Sequence, residues 1–160
     1  MSTARSIGLA LTAGALLIPA VAVGAPGAAT AKYRLGATMT AAKMAAPHPK
    51  GNVASARGSL TGTLTVAKKS TANWTLTYSG TTGKVTAARL RYTRADGLTE
   101  QVLLCATTCR SGLKVQTTFR SRLLAQRLVQ QALAKKADVV LSTKRNPRGE
   151  VRGLLTARQI

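Results

Sequence analysis

The sequence predicts a mainly β chain, an antiparallel Greek-key β-sandwich of immunoglobulin type with one amphipathic helix near the C-terminus. Three observations carry that expectation. Short stretches alternate apolar and hydroxylated residues with period two, as in Trp74-Thr75-Leu76-Thr77-Tyr78, the pattern of strands with one face buried. Roughly seven or eight such stretches follow one another at near-regular spacing, separated by Gly, Pro, Asn and Ser. After Ser121 the period changes, and Leu124, Ala125, Leu128, Val129, Ala132 and Leu133 share one arc of a helix.

In chain order, residues 1–31 read as an export signal. Arg5 supplies a positive start, Ile7 to Val23 is apolar and rich in small residues, and Ala29-Thr30-Ala31 gives a cleavage site before Lys32. Cleavage after Ala25 is the alternative, with Pro26 directly beyond the cut. Retention as an anchor is a third outcome, since the apolar run just reaches bilayer length. Residues 32–160 form one domain, because the chain is too short for a second core. Once the signal is removed, no stable membrane insertion is expected.

Tyr33, Leu35, Ala37, Met39 and Ala41 alternate with polar residues as a first strand. A loop from Pro47 to Arg57 holds the single histidine, His48, which without a partner ligand reads as a solvated imidazole. Leu60, Leu64 and Val66 face inward from a second strand, with Thr61, Thr63 and Thr65 outward. Trp74 to Tyr92 then reads as two strands of a hairpin around Ser79-Gly80. On its second arm Ala88, Leu90 and Tyr92 face the core, and Arg89 and Arg91 project outward about 7 Å apart. Asn73-Trp74-Thr75 matches a glycosylation sequon by chance, given a bacterial-type signal.

Val102 to Cys105 reads as a short buried strand, followed by a local turn. Cys105 and Cys109, spaced C-x3-C in an exported chain, point to a disulfide; closing so short a loop contributes about 2 kcal/mol. Two thiols without a nearby His are too few for a closed zinc site. Val115, Thr117 and Phe119 share one side of a further strand. The helix that follows packs on the sandwich, or lies on a membrane surface, with Arg127, Gln130 and Gln131 on its polar side. Val139-Val140-Leu141 is a last apolar run before the turn Asn146-Pro147-Arg148-Gly149 and the strand at Val151.

Two of these segments resemble a known family. Residues 77–92, TYSGTTGKVTAARLRY, are similar to the central motif of the CHRD domain, the module named from chordin. Residues 136–155, KADVVLSTKRNPRGEVRGLL, are similar to its closing motif, with its Asn-Pro-x-Gly-Glu turn. The chain is thereby identified as a small secreted bacterial member. The resemblance implies a β-sandwich, an extracellular setting and a binding role. CHRD sequences typically carry histidines where this chain has Arg89, Arg91 and Ser142, so a metal role of the family does not carry over. A guanidinium offers no lone pair to a cation.

The composition fits binding better than catalysis. The chain has 24 Lys and Arg against four Asp and Glu, a net charge of +20, which draws polyanions. Part of that basicity also suits GC-rich coding. Asp96, Glu100, Asp138 and Glu150 form no catalytic dyad by spacing, and no nucleophile elbow or phosphate loop is present. No cofactor is expected. Candidate anion-binding residues are Arg89, Arg91 and Arg94 together with Lys144, Arg145, Arg148 and Arg152. Glu150 and Arg152, two residues apart, are expected to form a structural ion pair. The partner is then an extracellular protein or an anionic envelope polymer, and not a specific nucleic-acid sequence, since no base-stacking aromatic array is present. The alternative is a metal-dependent secreted sandwich enzyme of superoxide-dismutase-like type, disfavoured by the replaced histidine positions.

Overall fold

The computed structural model describes residues 30–44, 48–93, 96–107 and 109–160. Among the described residues it contains nine strands and one α-helix. The strands are β1 (Ala31–Thr40), β2 (Arg57–Val66), β3 (Thr71–Ser79), β4 (Val85–Thr93), β5 (Thr99–Ala106) and β6 (Leu113–Thr118). Helix α1 (Arg122–Leu133) follows, then β7 (Ala137–Thr143), β8 (Val151–Leu154) and β9 (Thr156–Gln159). All pair antiparallel in the order β5-β4-β7-β8-β1-β2-β3-β6, with β9 on β1. The sheet curls into a nearly closed, barrel-like sandwich, so the expected mainly antiparallel β fold is what forms. The export-signal segment lies outside the described residues, apart from its last two.

The period-two residues make the core. Leu35, Met39, Leu60, Leu64, Trp74, Leu76, Leu90 and Leu141 all lose nearly all contact with water, and hydroxylated neighbours take the outward positions. At about 25 cal/mol per Å² of apolar surface, this burial is the main driving term. The single indole is seated by a hydrogen bond from Trp74 Nε1 to Thr117 Oγ1, 3.2 Å. Ser121 caps α1 by accepting from the Leu124 amide, and the helix lays Ala125, Leu128, Val129 and Ala132 onto the sheet.

Four expectations are corrected. The Trp74–Tyr92 stretch is two strands, as its alternation requires, but not a hairpin: β3 pairs with β2 and β6, while β4 pairs with β5 and β7. The connection crosses between halves of the sheet, and Gly80 holds it there. Its φ is +64°, and a Cβ at this position would collide with the Ser55 carbonyl. Strand β5 is not buried, because it ends the strand order and has only one covered face; Leu103 is 53% exposed. A ninth strand follows the one at Val151, since the Thr156–Gln159 segment finds a partner edge on β1. On α1, Gln131 is buried and Leu133 exposed, because the helix touches β2, β4, β7 and β9 together and its covered face is rotated from the apolar arc.

Candidate anion-binding site

Strand register brings the outward side chains of β4, β7 and β8 together. Arg91 stands opposite Asp138, Arg89 opposite Val140, and Val140 in turn opposite Arg152. Asp138 is therefore flanked by two guanidinium groups. Arg91 grips it bidentately, Nε to Oδ1 at 2.8 Å and Nη2 to Oδ2 at 2.9 Å, and Arg152 donates from Nε to Oδ2 at 2.6 Å. Arg89 has a weaker neighbour, its Nη1 lying 3.4 Å from Ser142 Oγ. Three expected anion-binding residues are thus neighbours on one outward face, but two of them share a carboxylate that spacing along the chain did not connect to them.

The expected pair of Glu150 and Arg152 is replaced by two separate networks. Glu150 precedes β8 instead of lying in it, so its side chain turns into the β7–β8 connection and not onto the strand face with Arg152. There its carboxylate is fully buried. Oε1 accepts from the Thr82 amide at 2.6 Å, and Oε2 accepts from the hydroxyls of Thr82 at 2.6 Å and Thr143 at 2.7 Å and from Asn146 Nδ2 at 3.0 Å. Burial alone would raise the carboxyl; the bonds from Thr143, Thr82 and Asn146 outweigh it together and hold the group below its ordinary value. The Asn-Pro-x-Gly-Glu turn is thus a knot, fastened to the β3–β4 crossover through Thr82.

The same knot builds a cleft. Asn146 Oδ1 accepts from the Lys50 amide at 2.7 Å, and its Nδ2 donates to the Lys50 carbonyl at 3.2 Å, so the 48–51 loop is drawn against the β7–β8 connection. Between them lies a cleft of about 450 Å³ lined by His48, Lys50, Lys144, Arg145 and Arg148 beside Pro49, Asn146, Pro147 and Gly149. The four Lys and Arg side chains and His48, five in number, are all exposed. No carboxylate lines the cleft, and none of the five makes an ion pair with a described residue. The Arg145 guanidinium lies along the Gly51 backbone, where a Cβ would come within 3.0 Å of its Cζ.

The seven expected residues therefore divide. Arg89, Arg91 and Arg152 occupy the strand face; Lys144, Arg145 and Arg148 line the cleft; Arg94 lies outside the described residues. Because β4 pairs with β7, the segments that carry them are neighbours. Sequence reasoning missed Asp138 as their shared acid, and Lys50 and His48 as members of the cleft. Nothing in the spacing links residue 50 to residue 146. The basic flank of the Pro-rich loop was the one available signal.

Cys105 and Cys109 form the expected disulfide, Cα to Cα 5.7 Å, at the end of β5. Cys109 donates from its amide to the Val85 carbonyl, and its own carbonyl accepts from Tyr78 Oη, so the bridge ties the edge of the sheet to β3 and β4. Among the described residues, no group of three or more His, Cys, Asp or Glu is placed to hold a metal ion, and no helix is long and apolar enough to cross a membrane.

No curated protein and no solved structure matches the chain. The model of the CHRD domain matches residues 35–155, which runs from β1 to the end of β8 and includes the crossover, the Arg89–Arg91 strand and the Glu150 knot. With about three-quarters of its length matched in this way, the chain belongs to the CHRD domain family.

Proposed function

We propose that this chain is a secreted, non-enzymatic CHRD domain that engages an anionic polymer of the cell envelope or extracellular space through the cleft between the 48–51 loop and the β7–β8 connection. CHRD domains are binding domains of a non-enzymatic type and are typically extracellular, and the apolar stretch ahead of Lys32 reads as an export signal. The observation that carries the reading is the cleft itself: the exposed side chains of Lys50, Lys144, Arg145 and Arg148 line it beside His48, and no carboxylate answers them. A polyanion laid there releases counterions and is held without sequence reading. The superoxide-dismutase-like alternative gains nothing from the geometry. Arg89 and Arg91 offer no lone pair to a metal, and Asp138 is already bound by two guanidinium groups.

Retention on immobilised inorganic polyphosphate tests the proposal. The triple variant Lys144→Gln, Arg145→Gln, Arg148→Gln is expected to elute at clearly lower salt than a charge-matched control, Lys68→Gln, Lys69→Gln, Arg120→Gln. Equal elution of the two would mean that net charge, and not the cleft, does the binding.

A further inference from the structure

A second outward face, on β1, β2, β3 and β6, carries a feature of different chemistry. Register aligns its side chains in rows that run across the strands. One row is Thr61, Thr75 and Lys114; the next is Arg34, Thr63, Asn73 and Gln116. The rows are about 7 Å apart, the distance between alternate residues of a strand, and the longer one crosses four strands over about 14 Å. Between them lies an open depression of about 630 Å³ whose floor is the backbone of Gly62, Trp74 and Val115. Gly62 keeps that floor in place: a Cβ there would come within 2.5 Å of Trp74 Cε3, so its absence seats the indole beneath.

The rows are unusually free to bond outward. Among the described residues, the side chains of Thr61, Thr63, Asn73, Thr75 and Gln116 make no hydrogen bond, although each sits beside others able to donate and accept. Arg34 closes one end of the trough and Lys114 the other, and no carboxylate lines it. None of the large exposed apolar side chains lines the trough, although Leu154 shares an adjoining depression with Thr61 and the Ile160 amide bonds the Lys32 carbonyl near Arg34. The trough itself therefore lacks the apolar anchors of a protein interface. Arg158 stands opposite Arg34 on β9, so the cations gather at the two ends of the trough and are too sparse along it for a densely phosphorylated chain. Rows of hydroxyls and amides with a guanidinium at the margin match a polyol bearing carboxylates.

We propose that this trough binds a linear acidic polysaccharide, its ring hydroxyls paired with the threonine and amide rows and a uronate carboxylate on Arg34. The site is separate from the basic cleft. Calorimetric titration of the full chain with oligogalacturonate, its methyl ester and inorganic polyphosphate tests it at physiological ionic strength. Thr61→Val with Thr75→Val keeps side-chain shape and strand preference and removes two hydroxyls; a thermal melt verifies that the variant is folded. The double variant is expected to lose about tenfold or more in oligogalacturonate affinity, Arg34→Gln a similar amount, and the methyl ester to bind more weakly than the acid. The triple cleft variant is expected to bind the oligosaccharide as wild type does while losing polyphosphate. The proposal is overturned if wild type gives no oligogalacturonate binding, if the valine variant retains wild-type affinity, or if the cleft variant loses both ligands together.

Discussion

The strand face and the cleft are both built from arginine on neighbouring segments, and they do opposite things with their charge. On the strand face, Arg91 and Arg152 converge on Asp138 and leave Arg89 with a distant hydroxyl. In the cleft, Lys50, Lys144, Arg145 and Arg148 face one another across solvent, held in position by the neutral amide of Asn146 and the buried Glu150 behind it. The lesson is that a net charge of +20 is not equally available everywhere. One carboxylate placed between two guanidinium groups turns a binding surface into a structural joint.

The largest loss is expected at the Glu150 knot. Glu150→Gln removes a buried carboxylate that accepts four hydrogen bonds, and is expected to cost about 3 kcal/mol in urea unfolding and to loosen the cleft it supports. The pH dependence follows from the same group. Its folded pKa lies below its unfolded value, so the stability it contributes is present above the unfolded carboxyl range and is lost as pH falls through the folded value. Wild type should therefore lose stability steadily on acidification below about pH 5, and the Gln variant should lose less over that interval.

Asp138→Asn sharpens the contrast at about 2 kcal/mol of stability, because two partly buried guanidinium groups lose their common partner. The same change should strengthen polyphosphate retention, since the strand face then resembles the cleft. Loss of stability with no gain in retention would show that the freed arginines cannot reach a ligand. Replacing Cys105 and Cys109 together by Ser is expected to cost about 2 kcal/mol or less and to leave polyphosphate binding unchanged, because the bridge lies at the β5 edge, away from the cleft. Arg89→Gln should have the smallest effect, within about 0.5 kcal/mol of wild type in stability.

What was legible in the sequence was local. Alternation at Tyr33–Met39, Leu60–Val66 and Trp74–Leu76 identified strands and their inward faces, and Arg89 and Arg91 point outward as their parity requires. Partner choice was not legible. The turn at Gly80 has the composition of a hairpin, yet the strands on either side of it pair elsewhere, because pairing is decided by residues distant in sequence. The site divided in the same way. The C-x3-C pair declared itself by spacing alone. Asp138 joins Arg91 only through the β4–β7 register, and Lys50 joins Asn146 only through the closed fold. Glu150 drew notice through the family's closing motif, but its i, i+2 relation to Arg152 assumed a regular strand that begins one residue too late.

The most direct measurement is the salt dependence of polyphosphate affinity in three proteins: wild type, the triple cleft variant, and Arg89→Gln with Arg91→Gln. Each phosphate that the protein no longer neutralises lowers the slope of log affinity against log salt by roughly 0.7 to 0.9. The slope is expected to fall by about two to three for the cleft variant and by less than about one for the strand-face variant. A reduction for the strand-face variant equal to or larger than that for the cleft variant would contradict binding through the cleft.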